Sequence, residues 1–292
     1  MTAFAITNNL DWTVSNRAVA SMNFKGEWEV DPSTVAVHRD DNDYRLGYVS
    51  TGYESVQNEV LLGKVSPLVE EGILTVENMG HLQNGAKVFI QARISQGFQV
   101  IGEDYNAFIT LLNGHTANAS VAIGSSAVRV ICANTFTMAY REIGQKFRHN
   151  RGVNELVIGS SMVMDLVNED MARYAQNVET IANATCTGAQ FTRFLEATYN
   201  KKEGDKIRNI DRLNHLFYNG KGNEGHTLYD ALNAVTEFSS HEVRKTNDGC
   251  FNYSNFGQGV SINQRAMQVA LEMAAVIPWG GVDFRVGPLT SF

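Results

Sequence analysis

Arg129-Val-Ile-Cys-Ala-Asn-Thr-Phe-Thr-Met-Ala-Tyr-Arg-Glu142 is where the chain changes character. A β-branched apolar run opens the stretch, and a short polar patch (Cys132, Ala133, Asn134, Thr135) interrupts it. The residues beyond are spaced like a helix. The basic run Lys146-Phe-Arg-His-Asn-Arg151 follows at once. Upstream the pattern is strand-like and downstream it is helical, so this stretch decides an α+β class. The expected architecture is an antiparallel, strand-rich N-terminal half with one intervening helix, and a helical C-terminal half packed on it. The change of period falls near residue 152, giving a strand-rich core over 1–152 and a helical region over 153–292, continuous with the core and not independent of it.

Working outward toward the N-terminus, Val128–Ile131 reads as the last core strand. Phe108–Leu112 and Ala119–Ile123 read as a strand pair across Asn113-Gly114-His115. Leu74–Gly80 and Lys87–Ile94 predict a hairpin about Asn84-Gly85, a pair favoured in tight two-residue turns. Val60, Leu61, Val65, Leu68 and Val69 recur at helical spacing within Val56–Glu71, and Gly72 stands where a glycine can end a helix. Val35–His38 and Arg45–Ser50 are short strands around the turn-forming Asp40-Asp-Asn-Asp43. Toward the C-terminus, helices are predicted over Leu156–Ala184, Phe191–Tyr199, Ile207–Tyr218, Leu228–Glu242 and Val260–Val276. Gly- and Asn-rich loops such as Asn219-Gly-Lys-Gly-Asn-Glu-Gly225 separate them.

Charge is unevenly spread. Residues 1–128 hold 7 Lys+Arg against 14 Asp+Glu, a net of −7. Residues 129–151 hold Arg129, Arg141, Lys146, Arg148 and Arg151 against Glu142 alone, a net of +4. A sequence pI near 5.5 argues against a protein that coats duplex DNA by bulk attraction. A local basic stripe can still follow a phosphate backbone while the rest of the surface stays acidic. Three widely spaced cysteines (Cys132, Cys186, Cys250) form no CxxC pair, so neither a disulfide framework nor a structural zinc site is expected. The opening residues have no basic leader and no long apolar run occurs, so the expectation is a soluble, cytoplasmic protein with no membrane partner.

Motifs for catalysis are lacking. No GxxxxGK[ST] phosphate loop, GxSxG or HExxH is present, and the seven histidines are dispersed. Cys132 beside Asn134 could be imagined as a nucleophile, but a small thiol at a strand end is more often packing. No catalytic residue, metal site or cofactor is therefore assigned, and a non-enzymatic role is preferred. Arg129 on an apolar strand needs either a carboxylate partner or an edge facing a groove. Asn134, at the expected strand-to-helix transition, is read first as a helix cap and second as a ligand contact. Tyr48 and Tyr53 sit beside Gly47 and Gly52, where sharp turning leaves a ring accessible.

Four segments carry a resemblance: Leu46-Gly-Tyr-Val-Ser-Thr-Gly-Tyr-Glu-Ser-Val-Gln-Asn58, Leu82-Gln-Asn-Gly-Ala-Lys-Val-Phe-Ile-Gln91, Val128–Phe136, and Thr227–Phe238 with Asn255-Phe-Gly-Gln-Gly259 after it. In them the chain resembles the phage/plasmid-like family built on an uncharacterised domain (domain of unknown function 932). The resemblance implies a mobile-element gene, acting in the cytoplasm of a host cell, and brings no settled activity. The order of a hairpin-rich sheet followed by helices is also similar in outline to RecT/Red-beta-like annealing proteins, which implies a homo-oligomer. Cations interleaved with rings suit single-stranded nucleic acid, where phosphates are neutralised and bases stack. The expected surface is Arg129, Arg141, Lys146, Phe147, Arg148 and Arg151, with Tyr48, Tyr53, Asn134, Lys201 and Lys202 secondary. The expected function is single-stranded DNA binding, extending to strand annealing in recombination or replication. The alternative is an accessory factor for host takeover or counter-defence whose acidic first half engages a host protein.

Overall fold

The computed structural model describes residues 10–117, 121–138, 141–142 and 160–275. Two antiparallel sheets occupy the first half. The smaller has the order β1 (Val14–Met22), β2 (Trp28–Arg39), β3 (Arg45–Ser50). Helix α1 (Asn58–Glu70) follows. It ends in a Schellman motif, in which the Gly72 and Ile73 N–H groups donate to Val69 and Leu68 carbonyls and Gly72 takes φ +72°.

The larger sheet is built from β4 (Leu74–Leu82), β5 (Lys87–Ile94), β6 (Phe98–Val100), β7 (Glu103–Gly114), β8 (Ala122–Arg129), β9 (Thr135–Thr137) and β10 (Arg141–Glu142). Its order is β10-β8-β7-β5-β4, with β6 on β7 and β9 on β8. In the middle of β7, Ala107–Leu111 are buried on both faces, which is why Ala-Phe-Ile-Thr-Leu111 shows no alternation.

Helices cover both faces of this sheet. On the face carrying Tyr105, Ile109 and Leu111, α2 (Ser160–Ala182) lays Tyr174 against Tyr105 and Phe136, and its Asp170 accepts a hydrogen bond from Ser125. On the opposite face, α6 (Asn247–Phe256) packs Phe251 and Phe256 against Phe89, while Gln91 donates to Asn255. α3 (Gly188–Thr198), α4 (Ile210–Asn219), α5 (Leu228–Glu237) and α7 (Gln258–Ala274) complete the helical half. α5 is buried all round and is the central helix of that layer. Capping boxes, Thr187 with Gln190 and Thr227 with Asp230, start α3 and α5. One apolar core runs through both halves, from Leu10 to Ala270.

The small sheet abuts one end of the large one. The Arg39 guanidinium lies 4.2 Å from the Trp12 ring centroid, and Trp12 meets His81 and His115 edge-on. Gly85 takes φ +105° under this ring, where an added Cβ would come within 3.0 Å of it.

Four readings of the sequence need correction. No helix follows Asn134 among the described residues, because Thr135–Thr137 and Arg141–Glu142 pair along β8 instead. Ladder hydrogen bonds there override helical spacing. Val128–Ile131 is not a separate strand: β8 ends at Arg129, and Val130 and Ile131 are exposed in a turn. Leu82 pairs with Lys87, so four residues rather than two join β4 to β5, and Gln83, Asn84 and Gly85 all take positive φ. The helix read over Leu228–Glu242 is α5 followed by one π turn at Phe238–Glu242.

Candidate functional site

The signature stretch splits between the two ends of β8. At its C-terminal end Arg129 is 1% exposed. Its guanidinium donates to both carboxylate oxygens of Glu103 and to the carbonyls of Lys221 and Gly222, and lies 5.1 Å from the Tyr229 ring centroid. Of the two options open to an arginine on an apolar strand, the carboxylate partner is the one found. Tyr229 donates to Glu103 and shares a hydrogen bond with Tyr105, and burial pushes the pKa of both phenols upward. The Gly-rich loop 220–225, which reads in the sequence as mere punctuation, closes over this arginine. Gly222, at φ +74°, comes so near that a Cβ would lie 2.6 Å from Nη2 of Arg129.

The turn after Arg129 is anchored on the helices. The ring Nε2 of His241 bonds the Cys132 carbonyl at 2.9 Å, and the Thr135 N–H donates to Ser240. Cys132 is buried and its thiol is pushed up by burial, which suits packing and not nucleophilic chemistry. Asn134 is also buried, its carbonyl accepting from the Arg129 N–H; with a strand after it, it caps no helix.

The other end of β8 is different. Arg141 lies opposite Ile123 and Glu142 opposite Ala122, so β10 runs toward the start of β8. Arg129 and Arg141 therefore attach to β8 six residues, or about 20 Å, apart. The connection that begins at His115-Thr116 leaves β7 at this same end, and β3 packs on it. A Cβ added to Gly47 would sit 3.2 Å from the Thr116 methyl carbon. Next along β3, Tyr48 is 47% exposed, and the exposed Arg45 lies over its ring at 4.7 Å. The carboxylates of the β2–β3 loop are engaged by the neighbouring strands: Asp40 accepts from Thr13 and Ser15, Asp41 from Arg39, and Asp43 from Arg17. The hydrogen bonds from Ser15 and Thr13 hold the Asp40 carboxyl below its usual value, and Arg39 does the same for Asp41.

The remaining candidates are structural at this end, lie elsewhere, or fall outside the described residues. Tyr53 is a structural tie, its hydroxyl donating to the Gly114 carbonyl at 2.9 Å. Lys201 and Lys202 are exposed in the α3–α4 loop. Lys146, Phe147, Arg148 and Arg151 lie outside the described residues. Among the described residues no three His, Cys, Asp or Glu side chains gather as a metal site, and no helix is long and apolar enough to cross a membrane. Sequence reading singles out Arg129 but misses Glu103 and Tyr229. The available signal was the need of a buried guanidinium for an acid and carbonyls.

Comparison with known proteins finds no match among curated proteins and none among solved structures. The family model for the domain of unknown function 932 matches residues 45–269, and on that match the chain belongs to this family.

Proposed function

We propose that the protein binds single-stranded nucleic acid, without catalysing a reaction on it, at the end of the large sheet where β3 meets the β7–β8 connection. One observation carries this reading. The exposed Arg45–Tyr48 pair and β10, the strand that leads into the cationic run 146–151, come to the same end of the molecule from distant parts of the sequence. An exposed ring with a guanidinium on its face offers a base a platform to stack on. The cations of the run supply phosphate neutralisation. Arg129 takes no part in contacting the strand and instead fixes the far end of β8. The mobile-element resemblance and the sheet-then-helix order extend the reading to strand pairing in recombination or replication.

Fluorescence anisotropy with a single-stranded oligonucleotide of about 30 nucleotides tests it. Binding should weaken between about 50 and about 200 mM salt, with a log–log slope of about −2 to −3 for three or four phosphates contacted. Arg148→Glu with Arg151→Glu should lower affinity at least about tenfold and flatten that slope, with circular dichroism unchanged. No binding at low salt, or binding indifferent to the double charge reversal, would remove the proposal.

A further inference from the structure

β1 and β2 extend well past β3, the third strand of the small sheet. β3 pairs only with Thr34–His38 of β2, so Trp28–Ser33 and the β1 residues opposite form a two-stranded ribbon. Its register sorts the side chains. Met22 faces Trp28 and Ala20 faces Val30, so these four share one face, while Ser21 and Glu29 share the other. The apolar face is open to solvent, with Met22 57%, Trp28 70% and Val30 65% exposed, and Phe24 at the tip 94% exposed. The tip is built and held. Asn23 Oδ1 accepts from the Lys25 and Glu27 N–H groups, and its amide donates to the Glu27 and Glu29 carboxylates. A lone two-stranded ribbon is marginal in water, and an apolar face of this kind marks an interaction surface.

We propose that this arm is a self-association element, in which the apolar faces of two arms from two copies of the chain pack on each other about a two-fold axis. Charge and area select this occupant. Glu27, Glu29 and Asp31 against Lys25 alone make the arm acidic, which disfavours nucleic acid and anionic membrane surfaces. Glu29 projects from the opposite face, so stacking two apolar faces leaves it in water. Trp28, Phe24, Met22 and Val30 expose roughly 500 Å² of apolar side chain per arm. Two arms can then remove up to about 1,000 Å², the level at which a specific interface begins. A two-fold axis places each Trp28 against the other arm's apolar face, giving a closed dimer. The Asx turn fixes the tip before contact, so little ordering is lost on association.

Sedimentation velocity of the full chain over a concentration series, with no nucleic acid present, tests this separately from the nucleic-acid reading. A monomer–dimer equilibrium is expected that is undiminished at high salt, as apolar contact requires. Trp28→Glu should weaken it by about 100-fold, as loss of a central aromatic anchor does. Ser21→Gln, on the other face of the same ribbon and outside the tip's hydrogen bonds, should leave it unchanged. Both positions are exposed, so circular dichroism should match the parent in each. A monomer at every concentration, or a dimer indifferent to Trp28→Glu, overturns the proposal. So does equal loss in both variants. Trp28-dependent co-sedimentation of a purely monomeric chain with phosphatidylcholine vesicles overturns it in favour of lipid.

Discussion

The two ends of β8 treat arginine in opposite ways. At one end Arg129 is enclosed by Glu103, two loop carbonyls and an aromatic ring, so its charge is consumed in holding the sheet to α5. At the other, Arg45 lies on an exposed tyrosine, and its charge remains available to solvent or to a ligand. Two arginines that look equally cationic in the sequence therefore differ in kind. What separates them is whether the neighbouring chain supplies acceptors. A count of positive residues cannot tell a fastener from a contact surface.

The comparison breaks most readily at the buried end. Arg129→Met should cost about 3–5 kcal/mol in chemical denaturation, because it leaves Glu103 and two carbonyls without their donor. Gly222→Ala should reach a similar state by another route, costing about 2 kcal/mol or more from positive-φ strain and the intrusion on the guanidinium. If either variant keeps parental stability, the enclosure of Arg129 is not what joins the layers. At the open end Tyr48→Ala should change stability by less than about 0.5 kcal/mol. Its affinity for single-stranded nucleic acid should fall by about 1–3 kcal/mol per base stacked. A large stability loss there would make the two ends alike.

The smallest effect expected is a pH dependence near the open end. Burial, and then the Arg39 charge, depress the His81 pKa below 6.5. The unfolded chain thus binds that proton more readily than the folded one, and stability is lost as pH falls below about 6.5. The depressed Asp40 and Asp41 carboxyls add a loss only below about pH 4, where the unfolded acids protonate first. Denaturation midpoints between pH 7 and 5 should decline, and His81→Gln should flatten that decline.

Much of the fold is legible where one physical signal dominates. Arg45–Ser50 is a strand as its short apolar pattern predicts, and Leu74–Gly80 with Lys87–Ile94 pairs as a hairpin. β1 gives little signal because its outer part is solvent-exposed on both faces, so Ser15–Met22 lacks a buried alternation. α6 is invisible for a different reason. Asn247-Asp-Gly-Cys-Phe-Asn-Tyr-Ser-Asn-Phe256 is poor in helix formers, and only the Thr246 cap and packing on Phe89 make it helical. The site was legible in part. Tyr48 could be singled out from its glycine neighbour, but its convergence with Arg141 depends on β10 folding back along β8. The fate of Arg129 depends on a loop some 90 residues away, beyond any local pattern.

That enclosure also has a consequence in time. The Gly222 carbonyl that receives Arg129 lies 93 positions later in the chain. At synthesis rates of about 5–20 residues per second, about 5–20 s pass between the emergence of one and of the other. For that interval Glu103 is already out, yet the loop carbonyls and Tyr229 that complete the enclosure have not been made. Burying β8 early would strand a half-satisfied cation, so closure of the sheet at this end is deferred until α5 arrives.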